Sequence, residues 1–239
     1  MGKPLISQRR GKGSPSFKAR STWFKAKVKY RNYDDKERGV VRFEVLELVD
    51  DPARSALLME IKYEDNSTMM LPAPEGIIIG QVMEEGYGAS LTVGNILPLE
   101  KIPEGYPIFN IETVVGDGGS LARSSGAVAF VVSKTGNQVM VKLPSGKIKY
   151  FDARARAMIG NACGGGRVDK PMLKAGVGHY KAIARGHWYP TVRGVHMNAN
   201  EHPFGGKQHH GDVTPKGVGA PSGVHVGSFG AKRTGRRKR

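Results

Sequence analysis

The segment Arg193–Lys207, with the sequence RGVHMNANEHPFGGK, holds residue types that could do chemistry. It brings two histidines, two asparagines, an arginine and a Gly-Gly pair into fifteen residues. Its apolar residues follow neither a helical nor a strand period, and Pro203 and the glycines disfavour regular backbone. We therefore expect a partner to order the segment. Flat polar side chains on a glycine-rich backbone suit close approach to RNA, and an ordinary surface loop is the competing interpretation.

Metal binding is a second interpretation of the same region, because all seven histidines lie within 47 residues. They are His179, His187, His196, His202, His209, His210 and His225. No pair has the spacing of a helical metal motif, and no cysteine pair assists. We expect no metal site.

Acid–base catalysis is a third interpretation, because Glu201 precedes His202 and a carboxylate can orient an imidazole. Adjacent residues of an extended chain point apart, however, and the segment has no enclosed pocket of its own. We expect no catalytic residue, no enzymatic activity and no cofactor.

The composition favours a polyanionic partner. The 239 residues carry a net charge of +16 with a pI near 10.0, include 33 glycines and are 39% hydrophobic. Nucleic acid is the first candidate. A membrane surface is disfavoured because no long apolar run, basic amphipathic helix or secretory signal is present. The single Cys163 excludes a disulfide framework, so we expect a soluble, intracellular protein.

The positive charge is concentrated at the two ends of the chain. Residues 1–31 hold ten Lys or Arg and no acid, and residues 160–239 hold fourteen against three acids. Residues 32–159 hold thirteen against eighteen. The pattern predicts two basic arms around a mildly acidic body.

Residues 1–33 are predicted to form an extended N-terminal arm. Cations alternate with Phe17, Trp23, Phe24 and Tyr30, a combination that neutralises phosphates and stacks on bases. We expect the glycines and Pro15 to keep this arm out of a helix, which also argues against a transit peptide.

Residues 34–86 show the alternation of half-buried strands, in VVRFEVLEL and LLMEIKYE. Thr68–Leu71 and Ile77–Val82 are two further strand candidates. Short strands without intervening helices predict a small barrel of the OB type.

Residues 87–107 are predicted to be a connector, and residues 108–160 an SH3-like barrel. The candidate strands of this second barrel are Phe109–Val115, Ala127–Ser133, Gln138–Leu143, Lys147–Phe151 and Ala153–Ile159. The loop Gly116–Ser120, followed by Arg123, could hold a phosphate on its backbone amides. It lacks the Gly-Lys-Ser/Thr of a nucleotide-binding P-loop.

Residues 161–239 are predicted to be a Gly- and His-rich basic extension, with a short helix around Met172–Ala175 or His179–Arg185. The final KRTGRRKR is equally consistent with a localisation signal. DNA packaging is a further candidate function. The aromatic residues and the glycine-interrupted arms suit irregular RNA better than duplex DNA.

Several motifs together resemble one known family. GNILPLEKIPEGYPIFNIE, GDGGSLARSSG, LPSGK, ARAMIG and above all RGVHMNANEHPFGG closely resemble the universal large-subunit ribosomal protein two. The opening GKPLISQRRGKGSP and the phrase HPFGGKQHH look like its archaeal form. The resemblance covers essentially the whole chain.

The resemblance implies an all-β fold, an OB-like barrel followed by an SH3-like barrel, with both arms threaded through large-subunit ribosomal RNA. It implies a structural protein of the cytoplasmic ribosome that helps the subunits to join and shapes the peptidyl transferase region, with RNA performing the chemistry. Its partners would be ribosomal RNA, neighbouring ribosomal proteins and the small subunit, and no membrane. The family's functional histidine falls on His202. The bacterial form has a second histidine where this chain has Phe204, which favours a packing role there.

The residues that we expect to contact ribosomal RNA are cations, flat rings and the glycine-rich segment. They are Arg9, Arg10, Lys12, Arg20, Trp23, Arg54, Arg123, Arg154, Arg156, Lys174, Lys181, Arg185, His187, Trp188, Arg193, Asn198, His202, Phe204, Gly205, Gly206, Lys207, Arg236 and Arg237.

Overall fold

The computed structural model describes residues 2–32 and 39–207 of the chain. They form two compact units, one within Ser21–Pro171 and one within Met1–Arg20 together with Met172–Arg239, each consisting of the described residues of those ranges. We refer to these as the strand unit and the terminal unit. The five-segment division of the sequence given above stays a prediction.

The described residues of the strand unit form ten strands, which confirms the expected all-β fold. The strands are β1 Val40–Val49, β2 Leu58–Tyr63, β3 Thr68–Pro72, β4 Val82–Gly86, β5 Ile96–Pro98, β6 Pro107–Phe109, β7 Ala129–Thr135, β8 Gln138–Lys142, β9 Ile148–Asp152 and β10 Arg156–Ile159. They join in the order β3-β2-β1-β4-β5-β10-β6-β7-β8-β9. All pairs are antiparallel except β4 with β5. Short 3-10 turns lie at Ser21–Trp23 and Leu99–Lys101.

Two hydrophobic cores share the strands in the middle of this sheet. Phe43, Ile61, Leu71 and their neighbours form the first core, and Val131, Val141 and theirs form the second. Neighbouring residues of the middle strands alternate between the two cores. Ile96, Phe109 and Met158 lie in the first core, whereas Leu97, Ile108 and Ile159 lie in the second. Strands β5, β6 and β10 are therefore buried on both faces, as a wall between two barrels must be.

Two of the predicted strands are wrong. Ile77–Val82 lies outside regular structure except for its last residue, because Gly76 and Gly80 adopt φ of +83° and +82°. Ile78 and Ile79 between them are 70% and 57% exposed. The predicted strand from Phe109 ends at that residue, because Asn110 takes a left-handed φ of +48°. Such a backbone does not continue a strand.

The N-terminal segment contains a helix that we did not expect. Helix α1 spans Ile6–Gly11, so the glycines end a helix here rather than prevent one. Gln8 Oε1 accepts a hydrogen bond from Leu5 N at 2.9 Å at its start. The two alternative helices predicted further on are one helix, α2, over Ala175–Ala184. The terminal unit also has 3-10 turns at Pro15–Phe17 and Gly194–His196.

Residues 21–32 contribute two side chains to the first core. Val28 and Tyr30 are buried, and Val28 forms an isolated parallel bridge with Met70. The Tyr30 hydroxyl donates to Asn110 O at 2.5 Å. The second half of the predicted basic arm is therefore part of the strand unit.

Candidate nucleic-acid interface

The terminal unit carries nearly all of the net positive charge of the described residues. Residues 2–20 and 172–207 hold eleven Lys or Arg and one acid, Glu201. Residues 21–171 hold nineteen of each sign. A net charge so concentrated on one unit produces a strong local potential for a polyanion.

The two ends of the chain form this unit together. Lys3 N donates to Asn200 O at 2.6 Å, and Arg20 N donates to Ala184 O at 3.3 Å. At Gly186, with φ of +66°, a Cβ would overlap the backbone of Lys18, so only glycine allows this approach. The cations of the N-terminal segment are thereby placed on the same small body as those of the C-terminal segment.

Trp188 joins the two segments through its indole ring. Phe17 stacks on it with ring centroids 5.7 Å apart and an interplanar angle of 26°. The Arg9 guanidinium lies 5.5 Å from the indole centroid, in cation–π geometry. Base stacking by Trp188 stays a prediction, and the ring already has an internal partner.

The segment Arg193–Lys207 is ordered by its own backbone, contrary to our expectation. Met197 N donates to Gly194 O at 3.1 Å, Gly205 N to His202 O at 2.9 Å, and Gly206 N to Met197 O at 3.2 Å. A Cβ at Gly205 would overlap the carbonyl oxygens of Met197 and Asn198. The glycines therefore allow the chain to fold back on itself, which replaces the hydrogen bonds that we expected a partner to supply.

The His202 ring is fixed inside this folded segment. Its Nδ1 accepts a hydrogen bond from Phe204 N at 3.1 Å, so the neutral ring carries its proton on Nε2. The ring also tilts against buried Phe204, with centroids 5.2 Å apart. At Gly194 a Cβ would overlap the imidazole, which packs directly on the glycine backbone. The geometry therefore presents the Nε2 edge as a hydrogen-bond donor.

Glu201 does not form the acid–base pair that the sequence suggested as an alternative. Its carboxylate accepts from Lys3 Nζ at 3.1 Å, and this lysine lowers the pKa of Glu201 below its ordinary value. Over residues 2–32 and 39–207, no group of three His, Cys, Asp or Glu side chains could hold a metal ion. The predicted histidine positions 209, 210 and 225 lie outside the described residues.

Replacing Gly194 by alanine is expected to displace the His202 ring, because the new Cβ would occupy the position of the imidazole. Overpacking of this kind costs about 1–3 kcal/mol. We expect faster amide hydrogen exchange at Phe204 and Gly205 in the full chain. Gly176→Ala is the matched control, since a Cβ there meets nothing within 4 Å. Unchanged exchange in Gly194→Ala would contradict the described packing of His202.

The other predicted contact residues of the terminal unit differ in exposure. Arg10, Lys12, Arg20, Lys174, His187, Asn198 and Lys207 are exposed, whereas Lys181, Arg185 and Arg193 are half-buried. Arg193 contacts the His196 ring. Arg236 and Arg237 lie outside the described residues. These assignments as RNA contacts stay predictions.

Arg156 is a correction to the predicted RNA contacts. It is 5% exposed, and its guanidinium donates to Glu85 Oε1 at 2.8 Å and Glu112 Oε1 at 2.7 Å. It also donates to Arg31 O at 2.9 Å and lies over the Tyr30 ring at 5.1 Å. A guanidinium held by two buried carboxylates cannot reach a phosphate. Its function is to hold residues 30 and 31 on the strand unit.

The remaining barrel arginines have different surroundings. Arg123 donates to Val28 O at 3.1 Å and also to Gly119 O, and these bonds hold residue 28 in place within the strand unit. Arg54 pairs with buried Asp51. Arg154 and Trp23 are exposed. Sequence reasoning missed the carboxylates Glu85 and Glu112, and no local sequence signal identifies them.

The proposed phosphate loop Gly116–Ser120 is occupied by acidic side chains of the protein itself. Asp117 accepts from Gly119 N and Thr113 N at 2.8 Å each, and Glu112 accepts from Gly118 N at 3.0 Å. Burial raises the pKa of Asp117, but the hydrogen bonds from Thr113 and Gly119 outweigh it and hold this pKa below the ordinary value. The prediction of an anion site here is wrong, because carboxylates already use these amides.

Comparison with known proteins identifies the family. Residues 3–84 match the family model described as Ribosomal Proteins L2, RNA binding N-terminal domain, and residues 92–223 match Ribosomal Proteins L2, C-terminal domain. The chain is 46% identical over 241 residues to the large ribosomal subunit protein uL2 of Methanosphaera stadtmanae, with 100% of both chains covered. It is 48% identical over 238 residues to uL2 of Methanobrevibacter smithii, with 98% and 99% covered. The chain is also 44% identical over 238 residues to uL2 of Haloarcula marismortui, a match that covers 99% of this chain and 98% of that protein.

The two family models cover both barrels and most of each terminal segment. The three relatives match at 44% to 48% identity over at least 98% of the chain. The chain therefore belongs to the ribosomal protein L2 family, in its archaeal form.

Proposed function

We propose that the chain binds large-subunit ribosomal RNA through its terminal unit, and that it thereby supports subunit association and the architecture of the peptidyl transferase region. The observation that carries the proposal is the concentration of charge, with eleven Lys or Arg against one acid in residues 2–20 and 172–207. The chain is a structural ribosomal protein and not an enzyme, and its place is the ribosome in the cytoplasm. Its other partners are neighbouring ribosomal proteins and the small subunit.

The shape of the terminal unit supports recognition of irregular RNA. The unit has exposed cations and a folded glycine-rich segment in which Gly206 is exposed. The Nε2 edge of His202 provides a directional donor, and Asn198 adds an exposed amide. Directional groups on a backbone that RNA can approach closely can select RNA loops, whereas lysines alone would bind any duplex.

Among the described residues, neither helix has the length and apolar composition that a membrane span requires.

Ribosomes with His202→Ala are expected to retain peptide-bond formation within about tenfold of wild type, because the ring binds and positions but transfers no proton. A general base would supply on the order of 10²- to 10⁴-fold. The expected defect is lower incorporation of the protein, or weaker joining of the subunits in sucrose gradients. His179→Ala, in helix α2, is the control histidine of the same unit.

The measurement is the single-turnover rate of purified, fully assembled particles across a pH series. A loss of a thousandfold whose size depends on pH would contradict the positioning role. A normal rate together with normal assembly and normal subunit joining would show that His202 contributes to neither. Crosslinking of the bound RNA in cells, followed by sequencing, tests the proposal itself.

A further inference from the structure

The outer face of strands β7, β8 and β9 carries side chains that the proposed function does not use. We define the meander face as Phe130, Val132, Met140, Lys142, Ile148 and Tyr150. The intervening residues Val131, Val139, Val141 and Phe151 are buried in the second core. The alternation means that the six residues of the meander face point away from that core.

The strand register brings these six side chains together. Phe130 pairs with Lys142, which in turn pairs with Ile148, and this makes one row across the three strands. Met140 pairs with Ser133 and with Tyr150, and this makes the next row. A register shift between Val131 and Ser133 leaves Val132 as the extra residue of a bulge. Side chains in paired positions are neighbours, so the rows form one continuous surface.

The meander face is unusually apolar for an exposed surface. Tyr150 and Ile148 are 58% and 55% exposed, and Phe130 and Val132 are 42% and 40% exposed. Single exposed apolar residues are ordinary, but two rings and three aliphatic side chains on one sheet face form a patch. Patches of this kind mark interaction sites.

The net charge of the segment that carries the face favours a polyanion. Residues 129–152 hold four lysines and one acid, Asp152, which pairs with Arg154 at 3.4 Å. Residues 34–86, the predicted first barrel, hold five Lys or Arg against thirteen acids. The meander is thus a cationic region on a strand unit that has no net charge. A basic protein segment would be directed to the acidic first barrel instead.

We propose that the meander face binds unpaired bases of large-subunit ribosomal RNA, with Phe130 and Tyr150 stacking on bases and Lys142 neutralising a phosphate. Aromatic rings on an exposed sheet face are a recurring platform for single-stranded RNA, because every base offers a flat face. Phe130 on β7 and Tyr150 on β9 lie on either side of β8. The inference rests on the proposed function, since it names a second RNA contact on a different unit of the chain.

The first test is ultraviolet crosslinking of purified ribosomes that contain the full chain, followed by mass spectrometry of peptide–nucleotide adducts. We expect adducts at Phe130 or Tyr150 in addition to adducts in residues 2–20 or 172–207. Adducts in the terminal unit with none in residues 129–152 would overturn the inference and leave the proposed function intact. No RNA adduct anywhere in the chain would overturn both. Chemical crosslinks from residues 129–152 to a protein, without RNA adducts there, would assign the face to a protein partner.

The second test measures the affinity of the full chain for an oligouridine of about 12 nucleotides and for a duplex RNA of the same length. Phe130→Ala and Tyr150→Ala should each weaken single-strand binding about tenfold, since one stacked base contributes roughly that much. Binding of the duplex should change less than about twofold, because a duplex offers phosphates but no free base. Tyr150→Phe keeps the ring and should bind like wild type.

Ile78→Ala is the matched control, because it removes an exposed apolar side chain elsewhere on the strand unit. Each substituted residue is exposed, so unfolding midpoints are expected to stay close to wild type and can be checked in the same preparations. Equal weakening for single strand and duplex, or wild-type affinity in both ring variants, would overturn the inference.

Discussion

Replacing Arg156 by alanine is expected to lower the free energy of unfolding of the full chain by about 3–5 kcal/mol. The guanidinium donates to Glu85 at 2.8 Å and to Glu112 at 2.7 Å, and all three groups are buried. Removing the cation leaves two carboxylates in the interior, one of which still accepts from the Tyr63 hydroxyl at 2.6 Å. An uncompensated buried charge is among the few changes with so large an effect.

Arg154→Ala is the matched control, since it lies two residues away. Its side chain is 50% exposed and pairs with Asp152 at 3.4 Å. An exposed ion pair contributes about 0–1 kcal/mol, so the control should unfold close to wild type. Urea titrations of the three proteins provide the comparison. Equal unfolding midpoints for Arg154→Ala and Arg156→Ala would contradict the structural role of Arg156.

The same variant should show a characteristic pH dependence. Burial raises the pKa of Glu85 above its ordinary value, and Arg156 offsets only part of that rise. A carboxyl with a higher pKa in the folded than in the unfolded protein lowers stability as the pH rises through that interval. Without Arg156 the pKa of Glu85 should rise further. The stability gap between wild type and Arg156→Ala should therefore narrow as the pH falls from neutrality, because Glu85 becomes neutral at a higher pH in the variant than in wild type.

Most strands that the sequence identified correctly have one solvent-exposed face, and β10, which is buried on both faces, is an exception. In β1 and β2, Phe43, Val45 and Ile61 point to the first core while charged residues alternate with them. Strand β5, Ile96–Pro98, lies between two cores and has no polar face, so alternation could not reveal it. The β-branched residues of Ile77–Val82 predicted a strand that does not form there, because Gly76 and Gly80 adopt positive φ angles that interrupt extended backbone.

The candidate site was predictable in its charge and not in its geometry. Arg154 and Arg156 are the same residue type two positions apart, and one is exposed while the other is buried. The partners of Arg156 lie 71 and 44 residues away in the chain, so only the tertiary fold distinguishes the two. The pairing of Phe17 with Trp188 is equally non-local. Sequence patterns indicate local conformational preferences, whereas these contacts form only when distant parts of the chain come together.

Binding of large-subunit ribosomal RNA by the full chain is expected to fall steeply with salt. Eleven Lys or Arg of the terminal unit neutralise phosphates if the proposed function holds. Each releases about 0.7–0.9 counterion, which predicts a slope of log affinity against log salt of about −8 to −10. The affinity would then drop on the order of 10⁵-fold between about 50 mM and 200 mM salt. Filter binding across a salt series measures the slope.

A triple variant tests which cations are responsible. Arg10, Lys12 and Lys174 are exposed residues of the terminal unit, and their replacement by glutamine should make the slope shallower by about 2–3. The control replaces Arg42, Lys62 and Lys101, which are exposed on the strand unit, by glutamine. Both variants lose the same charge, so a general effect of net charge would change the two slopes equally. A shallower slope in the terminal variant alone assigns the phosphate contacts to the unit that the two chain ends build together, whereas equal slopes would refute that assignment.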